Sequence, residues 1–261
     1  VEIKLHDALS PQHAHVIINQ AFSAIEKVQQ LMSFHDPKSE LSRLNQNAFN
    51  HIVQVHPFTY AVLKRAQQIF YASHGLFDCS IANTLVNWEI LPDHLQQGHT
   101  DKTIHSQAGL QLLSDHSIRF TQPILLDLGG IAKGFAVDLA IHSLKKLGIK
   151  NALVNAGGDL RVLGHIAEEI VIRNPQNPQD FHALGALANG AIATSASYFS
   201  KTENGSALVN PFNRTALDSK HSFSVIAPTA CVADALTKVI VVSQNPQHPC
   251  LKLFAAQAMI L

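Results

Sequence analysis

At 261 residues, 46% of them apolar, the chain is long enough to bury a substantial core, and its length predicts one domain over residues 1–261 with two lobes. Lysine plus arginine balances aspartate plus glutamate at 19 each, so no net field favours nucleic acid or an anionic membrane surface as partner. The longest apolar runs, such as Val239 to Val242 and Ile124 to Leu126, fall far short of the roughly 20 residues that span a bilayer, so no transmembrane segment is expected.

The opening Val1-Glu2-Ile3-Lys4-Leu5 alternates like a strand already under way, without an initiator methionine or a leader, and an upstream segment is expected to have been removed. From Pro11 to Met32, Val16, Ile17, Ala21, Ile25, Val28 and Met32 recur at helical spacing. A second helix starts at Pro57, carries Val62, Ala66, Ile69 and Phe70 on its apolar face, and stops at Gly75. Residues 89 to 107, polar and rich in histidine, read as a surface connection with at most one short helix. Ile118 to Phe120 and Ile124 to Leu128 predict a hairpin whose second strand is buried. A long helix follows, with Ile131, Phe135, Leu139 and Leu147 on its face and Gly148 closing it. Strands are predicted at Ala152 to Val154, Leu160 to Leu163, Glu169 to Ile172, Ala191 to Thr194 and Ser222 to Ile226, with a last helix from near Ala233. Short strands alternating with a few long helices predict an α+β fold.

Cys79, Cys231 and Cys250 form neither a CxxC pair nor an even disulfide framework and read as small buried apolar residues. The sixteen histidines show no HExxH or HxH spacing, so no zinc site is expected.

The most informative stretch is Asp127-Leu128-Gly129-Gly130-Ile131-Ala132-Lys133-Gly134. Two glycines between a strand and a helix let backbone approach a ligand closely, and the helix start offers unpaired N–H groups to a phosphate or pyrophosphate. Lys133 adds a point charge, and Asp127 can accept from a ring or ribose donor. A tight turn with a solvated lysine is the plainer reading of the diglycine alone. Asn155-Ala156-Gly157-Gly158-Asp159-Leu160 is a second diglycine turn, which by itself is a hairpin. The hydroxyls of Ala193-Thr194-Ser195-Ala196-Ser197-Tyr198 suit phosphate or, more commonly, a helix cap. Leu31 to Pro37 sets Phe34 and His35 just before a helix that includes Ser39 to Asn45.

In sequence order these segments resemble the FAD:protein FMN transferase (ApbE) family over nearly the whole chain. Asp127 to Gly134 matches that family's Asp-Leu-Gly-Gly-Ile-Ala-Lys-Gly outright, and Leu31 to Asn45 is similar to its Met-Ser-Thr-Tyr-x-Pro-x-Ser-Glu-x-Ser-x-x-Asn. Gly75-Leu76-Phe77-Asp78, Leu85-Val86-Asn87-Trp88, Asn155 to Leu160, Ala193 to Tyr198, Ala227-Pro228-Thr229 and Ala233-Asp234-Ala235-Leu236 complete the series. The resemblance implies a T-fold-like α+β protein with the flavin site between its lobes. It implies magnesium-assisted transfer of FMN from FAD to a threonine of a target flavoprotein, with release of AMP. It also implies a periplasmic or membrane-anchored lipoprotein. Carried over by position, FAD contacts fall on His35, Leu76, Phe77, Asp78, Asp127, Lys133 and Leu208. The magnesium ligands fall on Gly130, Asp234 and Thr237, with Asp234 and Lys133 carrying the chemistry.

Three positions depart from the family. Its His-Ile-Ile-Asp-Pro appears as Ala207-Leu208-Val209-Asn210-Pro211, which removes an imidazole suited to general-base work, typically worth about 10²–10⁴ in rate. Lys238 stands where the family has threonine, one helical turn from Asp234, and Thr237 precedes it. Its ammonium either pairs with Asp234 in place of the ion or points away while Thr237 or water completes the site. His35 stands where an aromatic packs on the flavin. These departures keep two alternatives open: a flavin-binding homologue without transferase activity, and an FAD pyrophosphatase.

Overall fold

In the computed structural model residues 1–94, 104–173, 177, 179–196, 201–202, 205–206 and 208–261 are described. Strand β1 (Glu2–Leu5) and helix α1 (Pro11–Met32) open the chain, followed by α2 (Glu40–Asn47), β2 (Val53–Gln54), α3 (Pro57–Ala72) and α4 (Ala82–Asn87). A 3-10 turn at Gln107–Gly109 leads to β3 (Leu110–Leu112), β4 (Ser117–Phe120) and α5 (Ala132–Lys146). Then come β5 (Ala152–Ala156), β6 (Asp159–Leu163), β7 (Glu168–Arg173), β8 (Phe181–Leu187), β9 (Ala191–Ala196), β10 (Lys201–Thr202) and β11 (Gly205–Ser206). The chain closes with β12 (Ser222–Ala227), α6 (Ala230–Ser243), α7 (Cys250–Leu253) and β13 (Gln257–Ile260).

The chain divides into two compact units. The first comprises Val1–Lys27, Ile131–Ala196 and Lys220–Leu261. Its six-stranded sheet runs β1-β5-β6-β9-β12-β13, with every neighbouring pair antiparallel. Helices α5 and α6 pack on that sheet and on each other. Ile17 and Ala21 of α1 meet Val137, Ala140, Ile141 and Leu144 of α5 in its core, with Ala152 and Val154 of β5 beneath. The buried face of α5 is therefore Gly134, Ala136, Val137, Ala140, Ile141 and Leu144, not Phe135, Leu139 and Leu147. Gly134, Ala136 and Ala140 let α5 come close to its neighbours, while Val137, Ile141 and Leu144 fill the space between them.

The second unit comprises Val28–Gly130 and Ser197–Ser219. It holds α2, α3, α4 and a three-stranded sheet in the order β2-β4-β3. Pro57 occupies the first turn of α3, and Val62, Leu63, Ala66, Ile69 and Phe70 are its buried face. Ser39 caps α2, its hydroxyl accepting from Ser42 N–H at 3.0 Å.

The predicted hairpin ending in Ile124 to Leu128 is not what forms. Strand β4 pairs with β2 and β3, while residues 124 to 128 join no ladder. The buried amide of Asn45 takes the ladder's place: its Nδ2 donates to the Leu126 carbonyl and its Oδ1 accepts the Leu126 N–H, both at 2.9 Å. Strand β8 escapes the periodicity because it is largely exposed and carries Gly185 at φ +104°, opposite a register shift at Ile170/Val171. Of the predicted connection 89 to 107, residues 95–103 lie outside the described residues.

Candidate functional site

Helix α5 begins directly after the diglycine turn, and its first-turn N–H groups have no acceptor within the helix. One of them, the Gly134 N–H, donates to Asp234 Oδ2 at 3.1 Å. Asp234 projects from α6 and is fully buried. Its other oxygen, Oδ1, is held by the Lys238 ammonium, which also donates to the Asp234 carbonyl at 3.1 Å. Four-residue spacing on one helix places the two side chains on the same face. Of the two arrangements open in the sequence, the structure adopts the ion pair.

Lys133, on the exposed side of α5, donates to Asp159 Oδ2 at 2.7 Å. Asp159 begins β6 immediately after the Gly157-Gly158 turn, whose φ values of +69° and +102° suit a two-residue hairpin, and it is 2% exposed. In the sequence Asp159 stands only within the second diglycine turn and the family-like Asn155 to Leu160 segment, with no role of its own. Its position, an acid right after a diglycine hairpin and facing inward, is the signal that marks it.

Two lysines and two aspartates therefore form one charge cluster in the first unit. Burial, reinforced by repulsion from Asp234, pushes the Asp159 carboxyl up to about 6, although Lys133 and Lys238 pull the other way. Burial also opposes ionisation of Asp234, but Lys238, Lys133 and the Gly134 N–H outweigh it and hold that carboxyl below its ordinary value. Loss of hydration beside the two carboxylates works against the charge of Lys133, yet Asp234 and Asp159 together keep its ammonium above the usual lysine value.

The Asp159 carboxyl, followed by carbon NMR, should titrate near 6 rather than near its ordinary 3.8. Because the folded state then holds this proton more tightly, Asp159 makes the fold more stable as pH falls from about 6 to 3.8. Lys133→Met should raise the midpoint and Asp234→Asn should lower it. An unshifted midpoint would show that the carboxyl is not buried against Asp234.

Thr237 is fully buried, and its hydroxyl is bonded to a backbone carbonyl and a serine rather than to a carboxylate. Its hydroxyl donates to the Asp234 carbonyl at 2.7 Å, so the 2.7 Å contact with Ser195 has the serine as donor. Thr194 bonds Ser224 across to β12 at 2.8 Å. These hydroxyls sit in strand β9 and cap no helix, in contrast to the expected use; Ser197, Tyr198 and Ala207 lie outside the described residues. The cap on α6 is Asp138, which accepts the Ala230 and Cys231 N–H groups at 2.9 Å each and pairs with Arg161 at 2.7 Å. Helical spacing within α5 gives no hint of that task.

As arranged, the donor set does not fit an inner-sphere magnesium ion. Both Asp234 oxygens and the Thr237 hydroxyl are committed to protein donors and acceptors, and a fixed ammonium already lies on Oδ1. Magnesium requires several oxygen ligands at about 2.0–2.1 Å. Gly130 belongs to the second unit.

In that second unit Asp78 is buried and accepts from the Ser80 N–H and hydroxyl at 2.7 Å each and from the Gln107 N–H at 3.2 Å. Burial raises its carboxyl above the ordinary value against those bonds and the nearby Arg214. Arg214 donates to the His105 carbonyl at 2.6 Å and reaches Asp78 at 4.0 Å. The Asp127 N–H donates to the Cys79 carbonyl at 2.8 Å, which brings Asp127 beside the Leu76 to Asp78 segment. The Asp127 carboxylate accepts the Gly129 N–H at 3.2 Å and so shapes the diglycine turn. Phe77 is 3% exposed, its N–H bonded to the Ser73 hydroxyl, while Leu76 is half-buried and His35 exposed. Leu208 is half-buried, and Asn210 Oδ1 accepts the Phe212 N–H at 3.0 Å, which gives the amide a turn to hold.

A model of the ApbE family matches residues 1–256. The chain belongs to the ApbE family. Curated relatives include the FAD:protein FMN transferases of Treponema pallidum and Haemophilus influenzae. The first is 25% identical, over 90% of this chain and 73% of the relative; the second is 27% identical, over 82% and 68%. The Rhodobacter capsulatus enzyme of that name is 27% identical over 80% of this chain, which spans only 43% of that protein. Among solved structures, the flavin transferase ApbE from Vibrio cholerae superposes with a TM-score of 0.81 at 22% identity, over 99% of this chain and 88% of the other. The flavinyl transferase ApbE of Pseudomonas stutzeri gives 0.80 at 20% identity, over 99% and 86%. The α+β fold expected from the sequence is thus an ApbE fold.

Proposed function

We propose that this ApbE-family chain transfers the FMN moiety of FAD to a threonine hydroxyl of a target flavoprotein and releases AMP. The observation that carries the reading is the unbroken Asp127-to-Gly134 segment at the start of α5, with Lys133 over that first turn, inside a chain matched to the family from residue 1 to 256. Relatives at 25–27% identity bear the transferase name.

In that reaction the acceptor hydroxyl oxygen forms a bond to the FMN phosphorus while the bond to the AMP phosphate breaks, and the hydroxyl proton is released to solvent. Charge grows on the departing phosphate, so fixed cations and oriented N–H groups aimed there lower the barrier. The N–H groups of Ala132 and Lys133 at the α5 terminus are suited to an anion. The Lys133 ammonium, kept protonated by Asp159 and Asp234, adds full charge. Asp234, already paired with Lys238, does not supply a magnesium ligand to this reaction. An exported setting, with a periplasmic or membrane-associated acceptor, is part of the same proposal, and cell fractionation tests it.

Incubation with FAD and a threonine-bearing fragment of a flavoprotein separates the possibilities. AMP together with a covalently fluorescent fragment supports transfer. AMP with free FMN would replace it by hydrolysis, and intact bound FAD would replace it by simple binding. Lys133→Ala should weaken FAD binding roughly tenfold to a hundredfold, the loss of one hydrogen bond to a charged group. Unchanged affinity in a variant with native circular dichroism would remove Lys133 from the diphosphate.

A further inference from the structure

We propose that the cation serving Asp234 in this chain is the covalently attached ammonium of Lys238, and that this carboxylate takes no divalent metal. Insofar as it concerns FAD, the inference rests on the transferase reading. The geometry of the lysine does not need it.

Asp234 is completely buried, and each of its oxygens has a committed partner: Lys238 on Oδ1 and the Gly134 N–H on Oδ2. Lys238 is fixed at two points, since it also reaches the Asp234 carbonyl at 3.1 Å. Its side chain keeps 22% of its surface exposed, so the ammonium is not sealed in, yet it turns inward to the acid. Thr237, the neighbouring oxygen donor on α6, spends its proton on the Asp234 carbonyl and accepts from Ser195, which leaves it held within the protein. Lys133 and Asp159 close a second pair beside the first. Two lysines against two aspartates already balance, so a divalent ion would bring two uncompensated positive charges next to two ammonium groups. A tethered cation needs no capture from solution, so the carboxylate stays neutralised whatever the free metal concentration.

Manganese(II), used as a paramagnetic stand-in for magnesium, tests this without FAD. The wild-type chain should leave its free-ion resonance unchanged, as should Lys238→Arg, which keeps a cation on Asp234. Lys238→Thr should bind about one ion, and adding Asp234→Asn to it should abolish that binding. In parallel, FAD affinity measured by flavin fluorescence should differ less than about twofold between excess EDTA and millimolar magnesium for wild type, and by about tenfold or more for Lys238→Thr. One manganese ion bound by the wild type and lost in Asp234→Asn would overturn the proposal, as would a wild type that needs magnesium to bind FAD. If no variant binds FAD in any buffer, the transferase reading fails, while the manganese titration still decides the identity of the cation. Poor folding of Lys238→Thr is covered by its melting temperature: stabilisation by manganese supports the vacated site, and indifference to the ion counts against it.

Discussion

Gly134→Ala should destabilise the chain by about 3 kcal/mol or more, the upper end of what overpacking a close contact costs. A methyl group at this position would overlap the carbonyl of Ala230, lying 2.5 Å from its carbon and 2.8 Å from the Cys231 nitrogen. These are backbone atoms, so no rotamer change relieves them. Nor is the start of α6 free to retreat, because Asp138 of α5 holds the Ala230 and Cys231 N–H groups at 2.9 Å each. Moving α5 instead would pull the Gly134 N–H off Asp234. Gly157→Ala is the matching control. Its surroundings are open, and only its left-handed φ of +69° is at stake, a penalty of roughly 1–2 kcal/mol. Urea unfolding midpoints for both variants make the comparison, and a Gly134→Ala loss no larger than that of Gly157→Ala would contradict the close packing of α5 on α6.

Asp234→Ala should cost about 3 kcal/mol, while the double change Asp234→Leu with Lys238→Met should cost much less. Removing one partner strands the other: the Gly134 N–H loses its acceptor in the interior, and the Lys238 ammonium must reorganise to find water. The figure is the low end for a broken buried pair, because 22% of the Lys238 side chain is already exposed and offers an escape route. Replacing both with apolar groups removes the desolvation penalty along with the attraction. The acid's contribution is also pH-dependent. Its folded carboxyl lies below the ordinary 3.8, so the stabilisation is complete above that value and fades as pH falls through the lower, folded one. A double variant as unstable as Asp234→Ala would show that packing, not charge pairing, dominates at this position.

Elements whose periodicity or punctuation is strong are legible in the chain alone. Pro11–Met32 and Pro57–Ala72 form the expected helices because apolar residues recur every turn and a proline opens each. Strands β5, β6, β9 and β12 follow from short apolar runs bounded by turn residues, and the diglycine before α5 was legible as a break between segments. Family membership was legible as well, because it lies in the order of the motifs along the chain. What the chain could not announce were partners distant in sequence. Asn45 serves Leu126 in place of a ladder, Asp138 of one helix caps another, and Asp159 holds Lys133. Each joins residues at least 26 positions apart, and no local period encodes which remote carboxylate or amide will satisfy a buried donor. Lys238 shows the same division within a single helical turn. Its spacing from Asp234 put the two on one face, but whether the ammonium turned inward depended on the burial of that carboxylate, which only the packing of α6 against α5 and the sheet decides.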